Sequence, residues 1–212
     1  MLGGADVEGI GQQLLIRHPD VVDRAVLAGA NPGGSHQDPA AEDVESKVND
    51  PAVPTTEKIA LLFTQDAAGR LAARECVGRI KAAVASGAAP DDFKVSEETI
   101  ARQDRARTVL WKADEENFRD LKNVKVPVLL TDGRYDIVDP PKNTLVIANQ
   151  IPYAWLAFFD GGHAFLFQQH EKFAEEFLGT MKVIRRFIEI SEKHTPYLLR
   201  KAQRIEEYLD QR

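Results

Sequence analysis

With 212 residues, 43% of them hydrophobic, the chain can bury the core of one ordinary domain, which excludes intrinsic disorder and collagen-like repeats. The formal net charge is −6 and the basic residues are scattered along helical stretches, which excludes the electrostatic footprint of a nucleic-acid binder. The single cysteine, Cys76, excludes an internal disulfide or zinc cluster; with no basic and apolar leader at Met1 and no apolar run long enough for a bilayer, a cytoplasmic protein without a membrane partner is expected.

In chain order, Glu8 to His18 carry Ile10, Leu14 and Leu15 at helical spacing, and Pro19 predicts the end of that helix. Val21 to Ala30 is a mostly apolar run that reads as a buried parallel-type strand, stopped by the turn signal Asn31-Pro32-Gly33-Gly34-Ser35. Gln37 to Pro54 is polar and rich in Pro, Asp and Ala, which predicts an excursion away from the sheet. Thr56 to Leu121 has helical composition nearly throughout, with Gly87 and Pro90 separating two of its helices. Cys76 falls inside an amphipathic helix there and reads as a small core residue.

Val126, Val128, Leu129 and Leu130 form a second continuous apolar strand ending at Thr131-Asp132-Gly133. Pro140 and Pro141 precede a helix with Asn143 as its predicted N-cap, and a third strand follows at Ala154 to Phe159, making a strand–helix–strand crossover. Beyond His163 the pattern is helical. Phe173, Phe177, Met181, Ile184 and Ile188 share one stripe, and a last helix opens with Thr195 as cap and Pro196 at its first position.

Two loops carry chemistry. Gly133-Arg134-Tyr135-Asp136-Ile137-Val138-Asp139-Pro140 and Asp160-Gly161-Gly162-His163-Ala164-Phe165 each follow an apolar strand, so an acid and then a histidine are set at the carboxyl edge of neighbouring strands. Asp132 and Asp139 compete with Asp136 for the role of acid; their ordinary role is turn capping. His18, His36, His170 and His194 are expected to be solvated and without partners, and Glu8 and Glu45 show no carboxylate companion of the kind a glycosidase needs.

The stretch Gln12-Gln13-Leu14-Leu15-Ile16-Arg17-His18-Pro19-Asp20-Val21-Val22-Asp23-Arg24-Ala25-Val26-Leu27-Ala28-Gly29 resembles the helix after the nucleophile elbow and the sixth strand of the α/β-hydrolase fold family. Gly133-x-x-Asp136-x-x-x-Pro140 resembles that family's acid loop, and Gly161-Gly162-His163 its histidine loop. The resemblance, nearest the esterase and haloperoxidase-like branch, covers the carboxyl-terminal half of the fold with its cap. It implies an α/β protein of about three parallel strands with flanking helices and a helical cap insertion. Residues 1–50 would be the elbow-following helix and strand, 51–121 the cap, 122–193 the remaining core, and 194–212 an added helix.

The sequence departs from the family at its start. The family places five strands, an oxyanion-hole loop and a nucleophile before the matching stretch, and no Gly-x-Ser-x-Gly occurs here. Counting back from Gln12, the nucleophile position falls on Ala5, which has no attacking atom; one deleted residue would place Asp6 there instead, with Glu8 where the sharp turn needs glycine. The resemblance therefore implies Asp136 and His163 as catalytic residues of a hydrolase of ester or related acyl bonds in small apolar substrates, truncated and inactive alone. A non-catalytic binding relative, or cofactor-free chemistry by the His/Asp pair as base, are the alternatives. No cofactor or metal is implied. A three-stranded parallel sheet would leave the Arg24 to Ala28 strand without a neighbour, which predicts self-association through that edge.

Overall fold

The computed structural model describes residues 6–50, 52–89, 96–175 and 179. The chain divides into two units, Met1–His170 and Glu171–Arg212. The elements named below belong to the first; of the second, residues 171–175 are helical. The rest of the predicted stripe after Phe173, and the helix expected at Thr195 and Pro196, lie outside the described residues.

The sheet is built on β2 (Val128–Gly133), whose six residues are all buried, as expected of a strand covered on both faces. It pairs in parallel with β1 (Ala25–Ala28) on one side and β3 (Ala154–Phe159) on the other, in register Leu27↔Leu130↔Leu156. Parallel neighbours need crossovers: α7 (Pro141–Gln150) links β2 to β3, while the connection from β1 to β2 carries the helical block. That block comprises α2 (Glu42–Asn49), α3 (Thr55–Leu61), α4 (Ala67–Ala85), α5 (Glu97–Arg105) continuing as a π-helical segment (Ala106–Trp111), and α6 (Glu115–Asp120). Asp66, Ser96 and Asp114 cap α4, α5 and α6 through their side chains.

Two apolar clusters hold these layers together. Leu15 from α1 (Asp6–Arg17), Leu27, Leu121, Val128, Leu130, Ile147 and Ile151 fill the space between the sheet and its helices. Gly11 lets α1 lie close to β1, because a Cβ there would stand 2.9 Å from Leu27 Cδ2. The second cluster joins Phe63, Ala73 and Cys76 of the helical block to Ala164, next to His163. Among the described residues no helix is long and apolar enough to cross a membrane.

The structure departs from the sequence reading in four places. The first strand begins at Ala25, because Pro19–Val21 form a 3₁₀ turn that leaves Val21 exposed. The polar stretch before Pro54 contains α2, which the many acidic groups of its first turn favour. Asn143 is not an N-cap: Pro141 already occupies the first helical position, so Asn143 lies within the first turn, buried. In α1 only Leu15 of the three apolar markers is buried, while Ile10 and Leu14 are exposed and Gln12 takes an inward position.

Leu130 is fully buried at the centre of the sheet, so Leu130→Ala is expected to cost about 2–5 kcal/mol in urea denaturation. Among the described residues β1 pairs with β2 alone. The N–H groups of Ala25 and Gly29 point to β2, so alternation turns those of Val26 and Ala28 to the open side. We propose that this edge drives self-association. The protein is expected to elute as a dimer or larger species in size-exclusion chromatography and Val26→Pro as a monomer; a monomeric parent would refute it.

Candidate functional site

Because the three strands run the same way, their carboxyl ends meet at one edge, and three loops converge there: Gly29–Asn31 after β1, Arg134–Pro140 after β2, and Asp160–Ala164 after β3. Asp136 sits in a tight turn. Its own N–H donates to Gly133 O (3.1 Å), while its Oδ1 accepts from the N–H groups of Val138 and Asp139, both at 2.8 Å. That leaves Oδ2, which lies 2.7 Å from His163 Nδ1. The carboxylate is fully buried, and the imidazole is partly buried with 13% of its side-chain surface exposed. An acceptor-only carboxylate on Nδ1 places the proton on Nδ1 and makes Nε2 the basic nitrogen.

Glycines make this approach feasible. Gly29 has φ +64°, and a Cβ there would stand 3.1 Å from His163 Cε1, so both conformation and space require glycine. A Cβ at Gly133 would collide with the carbonyls of Gly161 and Gly162, so the acid and histidine loops touch backbone to backbone. The helical block supports the histidine from its other side. Ala164 N–H donates to Leu62 O at 2.6 Å, and the Gln168 side chain in α8 (Phe165–Gln168) accepts from Gly162 N–H (3.3 Å) while donating to Thr64 Oγ1 (2.9 Å).

The competing carboxylates are committed elsewhere. Asp132 accepts from Thr144 Oγ1 at 2.6 Å; burial first, and then the neighbouring Asp136 charge, push its carboxyl up to about 8. Asp139 receives Asn31 Nδ2 and Asn143 Nδ2, each at 2.7 Å. Burial raises it to about 6, against the pull of the Asn31 hydrogen bond.

Of the other candidates, Ala5 lies outside the described residues, as does His194, and Asp6 opens α1. His36 is exposed, as expected, but not without partners: it stacks on Phe118 with ring centroids 3.6 Å apart and lies 3.7 Å from Glu115, because the turn at Gly34–His36 folds onto α6. Glu45 pairs with Lys112 at 2.6 Å. Asn31, Thr144, Leu62 and Gln168 carry no motif, and their roles emerge only from contact. Asn31 alone had a signal, since it follows a strand that ends at the same sheet edge.

No protein-family model matches the sequence, and neither does any curated protein. Solved structures do match the chain's shape. An alpha/beta hydrolase fold protein from Chitinophaga pinensis gives a TM-score of 0.62 at 20% identity, over 79% of this chain and 59% of that one. A thermophilic esterase from Thermogutta terrifontis gives 0.56 at 16% identity (85% and 63%), and the enol-lactonase from Burkholderia xenovorans LB400 gives 0.55 at 15% (84% and 63%). The fold is therefore a partial α/β-hydrolase fold, with three parallel strands flanked by helices. The chain spans about three fifths of the length of the structures it matches.

The buried acids set a pH dependence. Unfolded, Asp132 and Asp139 ionise near their ordinary 3.8; folded, Asp139 holds its proton to about 6 and Asp132 to about 8. The unfolded chain thus releases protons first, so the stability these groups contribute below pH 4 is lost as pH rises through those values. Denaturation measured from pH 5 to 9 is expected to show falling stability. In Asp132→Asn the fall between about pH 6 and 8 should flatten, since that side chain no longer titrates.

Proposed function

We propose that this chain carries the acid–base part of a hydrolase acting on ester or related acyl bonds in small, fairly apolar substrates. The observation that supports this reading best is the 2.7 Å contact between His163 Nδ1 and a fully buried Asp136 carboxylate at the carboxyl edge of a parallel sheet. In that role His163 Nε2 takes the proton of an attacking hydroxyl and returns it to the leaving group, while Asp136 holds the tautomer and stabilises the charged imidazole. The helical block would cover the substrate as a cap. Neither residue supplies the attacking oxygen, and the 212 residues contain no serine elbow, so on this reading they do not form an acyl-enzyme.

A fluorophosphonate probe, which labels activated hydroxyls, is therefore expected to leave the protein unlabelled. Supplying the missing hydroxyl from solution tests the base. With p-nitrophenyl butyrate and added methanol, the protein should accelerate acyl transfer to the alcohol, and His163→Gln should lose about tenfold or more of that rate. Labelling would overturn the missing nucleophile. Equal rates for parent and variant would overturn the base and leave a binding-only protein.

A further inference from the structure

The acid loop is tied to the helical block by a buried polar chain that the hydrolase reading does not use. Trp111, the last residue of the π-helical segment, donates its indole N–H to Asn31 Oδ1 at 2.5 Å. The same oxygen accepts Gly33 N–H at 3.1 Å, so two donors forbid the Asn31 amide from turning over. Its Nδ2 is thereby aimed at Asp139 Oδ2, 2.7 Å away. The second oxygen of Asp139 takes Asn143 Nδ2, and its backbone N–H is one of the two donors that fix Asp136 Oδ1. Asn31 and Asp139 are both nearly fully buried, where an unmatched polar group is costly.

The indole has a seat made for it. A Cβ at Gly9 would stand 3.3 Å from the six-membered ring, and one at Gly33, where φ is +70°, would stand 3.0 Å from it. Gln12 adds a further tether by donating to Asn31 O at 2.9 Å. The path from Trp111 to Asp136 therefore runs through one hydrogen bond to Asn31, one from Asn31 to the Asp139 carboxylate, and one from the Asp139 backbone N–H to Asp136.

We propose that Asn31 and Asp139 are positioning residues that hold Asp136 against His163 only while Trp111 is docked, so that seating of the helical block on the acid loop sets the base's competence. The inference rests on the reading of His163 and Asp136 as the base pair. A Trp111 that leaves its seat removes one of the two donors that orient the Asn31 amide, and so loosens one of the two amides that hold Asp139. The turn presenting Asp136 Oδ2 then loses one of its anchors.

The test reads the hydrogen-bonded Nδ1 proton of His163 by NMR, a signature that general packing would not move. Trp111→Phe removes the indole N–H, and a benzothienylalanine isostere at the same position removes it while keeping the ring size and the seat. In both, with circular dichroism and the melting midpoint close to the parent, solvent exchange of that proton should quicken about tenfold or more, because the turn opens locally. Trp155→Phe, which alters the other tryptophan on β3, should leave it unchanged. A parent protein without a protected Nδ1 proton would bring down the base-pair reading and this inference together. Equal protection in the parent and in the isostere would overturn the inference alone.

Discussion

The parallel pairing of β2 with both its neighbours is the constraint on which the rest depends. Only strands running the same way end at one edge, and only there can a loop after β2 and a loop after β3 face each other. Register matters as much as direction. A one-residue slip moves a strand end by about 3.3 Å and turns its side chains to the other face, enough to break a contact as short as that between His163 and Asp136. The apolar filling of Leu27, Val128, Leu130 and Ile147 therefore fixes the site as well as the fold, since it sets the register.

Three carboxylates are packed into Asp132–Asp139, and burial alone would make that arrangement costly. The structure treats them unequally. Asp136 meets two backbone N–H groups and the imidazole; Asp139 meets two side-chain amides; Asp132 meets one hydroxyl beside the N–H that follows it. Asp139 and Asp132 each meet two donors against three for Asp136; Asp132, buried beside the Asp136 charge, is pushed furthest toward its neutral form, and a neutral Asp132 spares Asp136 a second negative charge nearby.

Much of this was legible in the sequence because its signals are local. The run Val128–Leu130, the β-type segment Ala154–Phe159 and the two glycine-bearing loops each carry their structure in adjacent residues, and the resemblance ordered them. What the sequence concealed depends on partners far apart in the chain. Nothing near Asn143 says that its amide bridges Asp139 to the backbone of Asp38, and its place two residues after Pro141 looks locally like that of a cap. His36 likewise finds Phe118 and Glu115 only because the turn after β1 folds back on α6. Choosing Asp136 over Asp139 needed the family pattern, since turn chemistry alone suits both.

The helical block is usually regarded as the variable part of such a fold, free to change while the catalytic edge stays put. Here it holds both members of the pair, from different helices. Leu62 and Thr64, at the end of α3, bind the histidine loop, whereas Trp111, at the end of the π-helical segment, binds the acid loop through Asn31 and Asp139. On the proposed coupling, relative movement of those two helix ends moves His163 against Asp136. A π-helical turn is rare and frequent at functional sites, and it occurs here in the residues that deliver the indole. On the proposed coupling, the geometry of the Asp136–His163 pair depends on how the block packs, and changes in the block that alter one helix end must be matched at the other if the 2.7 Å contact is to survive.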